Sequence, residues 1–161
     1  MRKAAFAPVV DARTRLLILG SLPGDASLKA AQYYAHPQNA FWRLIGGVIG
    51  RDLAQMPYED RLARLREAHV GLWDVIAGAE RRGSLDAAIR RAEAADLKRL
   101  VADLPDLRAI AFNGGTAARI GRRSLAGAAV TLIDLPSSSP AFTKPYAEKA
   151  EAWSALTTVL G

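Results

Sequence analysis

Residues 15–24 read RLLIL-GSLPG, a continuous aliphatic run that stops abruptly at Gly20 and turns through Pro23 and Gly24. A run with no polar alternation is the pattern of a strand covered on both faces. Three further runs share it: residues 70–75 (VGLWDV), 107–112 (LRAIAF) and 129–135 (AVTLIDL). Helical patterns fill the intervals at 39–49, 58–69, 84–94, 96–104 and 116–123. A last helix is expected over 145–160, with Pro145 in its first turn and Tyr146, Ala150, Trp153, Thr157 and Leu160 on one face. Strand–helix alternation predicts the α/β class. The expected architecture is a three-layer α/β/α sandwich with a central, four-stranded, mainly parallel sheet. A chain of 161 residues fits one domain spanning 1–161.

In such sheets ligands bind outside the carboxyl ends of the strands. The unusual residues of this chain lie there. Gly20, Ser21, Leu22, Pro23 and Gly24 follow the first strand, and Trp73-Asp74 end the second. Asn113-Gly114-Gly115 follow the third, and Pro136-Ser137-Ser138-Ser139-Pro140 follow the fourth. The first turn is neither a P-loop, since no Lys-Ser/Thr pair follows, nor a G-x-G-x-x-G dinucleotide turn. It is either a plain tight turn or a set of backbone donors facing a ligand.

Residues 33–42, YYAHPQNAFW, crowd rings, a proline and two amides into ten positions. Rings stack on a flat heterocycle, and amides read its edge or orient a water. Asn39 has no useful pKa and cannot be a general base. Its carbonyl can hold a water, or it can cap the helix that follows. Residue chemistry alone favours the cap. Phe41 and Trp42 suit a core. His36 either contacts a phosphate or orders its loop. Asp74 and Asn113 end apolar strands, where each either pairs with a loop backbone or meets a ligand.

The formal net charge is +6 and the pI about 10.1, with 17 of the 22 basic residues arginine. That balance fits a nucleic-acid partner, since arginine forks onto phosphate. The pairs Arg81-Arg82, Arg90-Arg91 and Arg122-Arg123 are expected on solvated faces. The chain has no cysteine, which excludes disulfides, thiolate catalysis and Cys-ligated metal. Its two histidines, His36 and His69, lie far apart in sequence. No apolar run reaches membrane-spanning length. The chain is expected to be a cytoplasmic monomer.

The blocks GSLPG, YYAHPQNAFW and LPSSSP together resemble the uracil-DNA glycosylase superfamily, and within it the hypoxanthine-DNA (deoxyinosine) glycosylase branch. The resemblance runs from about Leu16 to Trp153. It implies the same sandwich fold and a monofunctional enzyme that removes deaminated bases from DNA. Hypoxanthine is the expected target and uracil a second candidate. It implies catalytic roles for Asn39, as water holder, and for Asn113. It implies substrate binding by Gly20–Gly24, Tyr34, Phe41 and Asp74, with Tyr34 stacking on the base. His36, Ser137, Ser138, Ser139 and Pro140 would grip DNA. Leu135 stands where relatives carry His or Asn, and Asp74 where they place a base-reading Asn. No metal, cofactor or Schiff-base lysine is expected. Two rival readings remain open: a hydrolase or transferase on free nucleosides, and a nucleic-acid-binding module without catalysis.

Overall fold

The computed structural model describes residues 2–4, 6–81 and 83–161. Strand β1 is Arg2–Ala4, and β2, Leu16–Gly20, has every residue buried. Helices α1 (Asp25–Ala30), α2 (Phe41–Ile49) and α3 (Tyr58–Glu67) precede β3, Val70–Asp74. Strands β4 (Ile76–Arg81) and β5 (Ile89–Ala94) follow, then α4 (Leu97–Ala102). The chain continues through β6 (Ala109–Asn113), α5 (Gly115–Ser124), β7 (Thr131–Leu135), α6 (Tyr146–Trp153) and α7 (Leu156–Leu160).

The central sheet has the order β3-β2-β6-β7, and all three pairings are parallel. Alternating side chains of its strands feed two separate cores. Leu16 and Ile18 face Phe41, Ile45, Leu65 and Trp153 from α2, α3 and α6. Leu17 and Leu19 face Leu97, Ala117 and Ala118 from α4 and α5. Burial on both sides is why these strands read as unbroken apolar runs. The four-stranded sandwich expected from the sequence is present. No helix among the described residues is long and apolar enough to cross a membrane.

Three expectations are corrected. Residues 84–94 are not a helix. A short 3-10 turn, Asp86–Ala88, leads into β5, which pairs antiparallel with β4. With β1 these form a second, three-stranded sheet, β1-β4-β5. The sequence 84–94 is rich in Ala and Arg, good helix formers, but the hairpin turn at Gly83 (φ 73°) and the pairing to β4 override that preference. The last helix is broken: Ser154 Oγ donates to the carbonyl of Glu151 and Thr157 Oγ1 to that of Ser154. Such back-bonding competes with the helical ladder. Its buried face is Lys149, Trp153 and Leu156, while Tyr146 is exposed. Finally, Arg81 is 2% exposed and not on a solvated face. Arg82 and the side chain of Arg91 lie outside the described residues, whereas Arg90, Arg122 and Arg123 are exposed as expected.

Candidate active site

Parallel register fixes the floor of the site. Gly20 is level with Asp74, and Leu19 with Phe112, so Asn113 ends its strand at the height of Gly20. The row Asp74–Gly20–Asn113 therefore crosses the carboxyl edge of three adjacent strands. It floors a cleft of about 520 Å³. A Cβ on Gly20 would lie 2.8 Å from Asp74 Oδ1 and 2.9 Å from the Tyr34 hydroxyl. Glycine is needed there because two polar side chains close over the strand end.

Tyr34 forms one wall. Its ring stacks on Phe41 with centroids 3.9 Å apart and planes 14° from parallel. Trp42 Nε1 donates to the Tyr34 carbonyl at 3.2 Å, and the residue holds a left-handed φ of 53°. Such strained backbone persists only where the surroundings dictate it. Phe41 itself is fully buried and does not line the cleft. It backs the Tyr34 ring, in keeping with the core position its chemistry suggested; the substrate contact implied by the resemblance would act through that ring.

Asn39 lies where its chain enters α2. Its Oδ1 accepts from Phe41 N–H at 2.9 Å, so it satisfies the first amide of α2 from the position before the N-cap, Ala40. It also borders the cleft, and an amide oxygen has a second lone pair. The bond to Phe41 N–H therefore leaves the amide able to make a further contact in the cleft. His36 is exposed, and its Nδ1 accepts from Gln38 N–H at 3.1 Å, ordering the loop.

The serine loop is tied to the floor. Ser138 N–H donates to Asn113 Oδ1 and Asn113 Nδ2 donates to Ser138 Oγ, each at 2.9 Å. Ala40 N–H donates to the Ser138 carbonyl at 3.0 Å. Ser138 is 1% exposed, and its hydroxyl faces inward, where it accepts from the Asn113 amide. It is the knot joining the Asn39 segment, Asn113 and the loop. Ser137 and Ser139 are half-buried, and Pro140 is exposed; all three border the cleft.

The residues that the sequence did not single out come from the second sheet. Ser21 Oγ donates to Asp86 Oδ1 at 2.6 Å, and Asp25 N–H donates to Ser84 Oγ at 2.8 Å. Arg81 donates to the carbonyls of Gly83, Leu22 and Pro23. Lys3 donates to the Gly83 carbonyl and pairs with Asp25. The hairpin tip is thereby fastened to the Gly20–Gly24 turn. The one local signal was the turn pair Gly83-Ser84, whose flanking strands IAGAER and IRRAEA lack the alternation of a hairpin.

Electrostatics concentrate on Asp74. Burial pushes its carboxyl up from 3.8 to about 7, with the charge of Asp86 adding and Arg81 opposing. Its Oδ2 is enclosed without a hydrogen-bond partner, as is the Tyr34 hydroxyl. Burial, with Asp74 beside it, also raises the pKa of that hydroxyl. The folded state thus holds the Asp74 proton more tightly than the unfolded chain. The linkage sign follows: this group's contribution to stability is greatest at low pH and declines from about 3.8 up to about 7. Asp74→Asn is expected to flatten that decline, read as urea midpoints from pH 4 to 8. An unchanged pH profile would contradict the raised carboxyl.

The Tyr34 ring, Asn39, the Asp74–Gly20–Asn113 row and the serine loop thus frame one cleft at the carboxyl edge of the parallel sheet. The family model described as the uracil DNA glycosylase superfamily matches residues 7–157. The chain belongs to that superfamily. It is 41% identical over 156 residues to a hypoxanthine DNA glycosylase of Methanosarcina acetivorans, covering 97% of this chain and 98% of the relative. It is 46% identical over 114 residues to a hypoxanthine DNA glycosylase of Methanosarcina barkeri, covering 71% of this chain and 72% of the relative. A solution NMR structure of a candidate uracil DNA glycosylase from Methanosarcina acetivorans superposes with a TM-score of 0.90 at 41% identity, covering 99% of each chain.

Proposed function

We propose that this protein is a DNA glycosylase that hydrolyses the N-glycosidic bond of deaminated bases, hypoxanthine foremost. The observation that carries the reading is the placement of Tyr34, Asn39, Asp74 and Asn113 around one cleft, in a chain whose relatives act as hypoxanthine DNA glycosylases. The anomeric carbon is unreachable inside a duplex, so the nucleotide must leave the stack, at a cost of a few kcal/mol. Tyr34 offers its ring face to the extruded base, with Phe41 behind it. The carbonyl of Asn39 directs a water toward C1′. That water adds its oxygen to C1′ as the bond to the base nitrogen breaks; the base departs with the electron pair and takes up the proton that the water releases.

Recognition of deamination fits the floor. Deamination replaces an amino donor beside a ring-nitrogen acceptor with a carbonyl beside a ring N–H. Asp74, when ionised, accepts from such an N–H and cannot accept from the unprotonated ring nitrogen of adenine. Asn113 has its amide committed to Ser138 at both ends. Its role is to seat the serine loop, with one N–H left for the base. The loop and exposed arginines hold backbone phosphates, which position the protein without carrying sequence information. The enzyme works as a cytoplasmic monomer.

The test is base release from oligonucleotides carrying inosine, uracil or xanthine, read as alkali-cleaved abasic product on a gel. Release of hypoxanthine is expected, while release of none of the three bases would refute the reading. Binding that is insensitive to salt would favour a free-nucleoside hydrolase, because phosphate contacts release counterions.

Tyr34 supplies a sharper test within the site. Tyr34→Phe removes a buried hydroxyl with no well-formed hydrogen bond, the Asn113 amide being its polar neighbour, so rate and stability should hold within about twofold and ~0.5 kcal/mol. Tyr34→Ala forfeits stacking worth about 1–3 kcal/mol and should slow release accordingly. If Phe is as damaging as Ala in single-turnover assays, the hydroxyl and not the ring carries the function.

A further inference from the structure

A second groove, of about 480 Å³, lies between β5 and α5. It joins the cleft described above, because Asp86 and Ala87 line both. The stripe Thr116, Arg119, Ile120, Arg123 and Ser124 forms its α5 side, at the three- and four-residue spacing of neighbours on one helix face. Helix α5 begins directly after Asn113 and Gly114, so the stripe starts beside the cleft and leads away from it. From Thr116 to Ser124 it runs roughly 12 Å, the axial span of about three phosphates of one strand.

The groove carries positive charge that the fold does not use. Arg61, Arg81, Arg108 and Arg122 all donate to carbonyls or carboxylates of the chain. Arg119 and Arg123 are exposed, and among the described residues neither guanidinium has an acceptor. Like charges four residues apart on a helix repel, a cost that an anion between them removes. Arg90 adds a third cation at the rim, held by donation from Nη1 to the carbonyls of Ala87 and Ile89. The one carboxylate in the lining, Asp86, stands at the cleft end and already accepts from Ser21 Oγ. Ile76, Ile89 and Ile120 contribute apolar lining, and among the described residues no aromatic ring does. A basic channel without rings suits a phosphate backbone and not stacked bases.

We propose that the groove between β5 and α5 is a second DNA-contact surface, along which the strand bearing the extruded nucleotide continues on one side, with Arg119 and Arg123 on its phosphates. This rests on the glycosylase reading for the nature of the ligand. The shared residues of groove and cleft assign it to the same strand, and its charge to the backbone. Contacts of this kind add affinity and register without reading sequence.

Binding is measured by fluorescence anisotropy in the Asn39→Ala background, on a duplex with inosine opposite thymine. The inosine strand is shortened on one side at a time, from about ten nucleotides to about two, with its complement kept whole. Shortening on the side that reaches the groove should weaken binding about tenfold, and on the other side far less. Arg119→Gln/Arg123→Gln should bind the full duplex about tenfold more weakly at about 0.1 M salt, with a log–log salt slope shallower by about 1.8. It should no longer respond to shortening on that side. Glutamine keeps the helix propensity. Arg119→Lys/Arg123→Lys should restore most of the affinity and the slope, because a point charge also holds phosphate. A charge-matched control near the amino ends of β2 and β3, Arg13→Gln/Arg66→Gln, should respond to shortening as the parent does. An unchanged salt slope, equal weakening at every length, or the same loss of length response in the control would overturn the proposal. So would binding of an octaglutamate peptide that needs Arg119 and Arg123 while DNA binding does not, which would assign the groove to an acidic protein segment. If the parent releases no base while the salt slope follows the two arginines, the glycosylase reading fails and the groove stands.

Discussion

Replacing Asn39 by alanine should slow hypoxanthine release by about 100-fold or more, the order of loss seen when a reacting group is no longer positioned. Affinity for inosine-containing duplex should stay within about twofold, because the proposed contact with water matures only in the transition state. The structure supplies the control. Asn39 Oδ1 also caps Phe41 N–H, and losing a cap costs about 1 kcal/mol. Asn39→Ala should therefore melt a few degrees lower for a reason unrelated to chemistry. Asn39→Ser can still accept from Phe41 N–H but is too short to reach a water at C1′. It should recover stability without recovering rate. If the serine variant restores release, the residue acts through the helix start and the catalytic assignment is wrong.

Arg81→Met should be the most destabilising single change near the site. The methionine fills much of the same volume, but the carbonyls of Leu22, Pro23 and Gly83 lose a charged donor. Hydrogen bonds to charged groups contribute about 1.5–3 kcal/mol each. With partial rescue by water, a net loss of about 3–5 kcal/mol is expected, the range for breaking a buried charged network. The same change removes the cation that holds Asp74 down, so the Asp74 carboxyl should titrate still higher. Urea unfolding gives the first effect, and carboxyl chemical shifts against pH give the second. A loss below about 1 kcal/mol would mean that the hairpin tip and the glycine turn are not held together as described.

The central sheet was legible because its strands are buried on both faces and so carry unbroken aliphatic runs. The convergence of Gly20, Asp74 and Asn113 followed directly, since each terminates such a run. The second sheet was not legible. In β5, IRRAEA, apolar and polar residues do not alternate, and its strand state comes from β4 alongside. Local composition cannot register a partner strand. Arg81 was misplaced for a related reason: an arginine buried by three backbone carbonyls looks, in sequence, like any surface arginine. The chemistry of Phe41 placed it in the core, where it lies, whereas the depth of Ser138 was not legible. Adjacent positions in a loop differ in exposure through tertiary contacts, here the Tyr34 ring over Phe41 and the Asn113 amide over Ser138.

The parallel register of the sheet bears on how such a chain can change over time. Asp74, Gly20 and Asn113 meet because three strands end level with one another. Side chains alternate across a strand, so inserting one residue within β2, β3 or β6 would send the last side chain to the opposite layer. Loops between the strands carry no such constraint, and lengthening them costs only slowly increasing closure entropy. Length variation among descendants of this sequence should therefore collect in connections such as 50–57 and 103–108, and be absent from the strands that set the row.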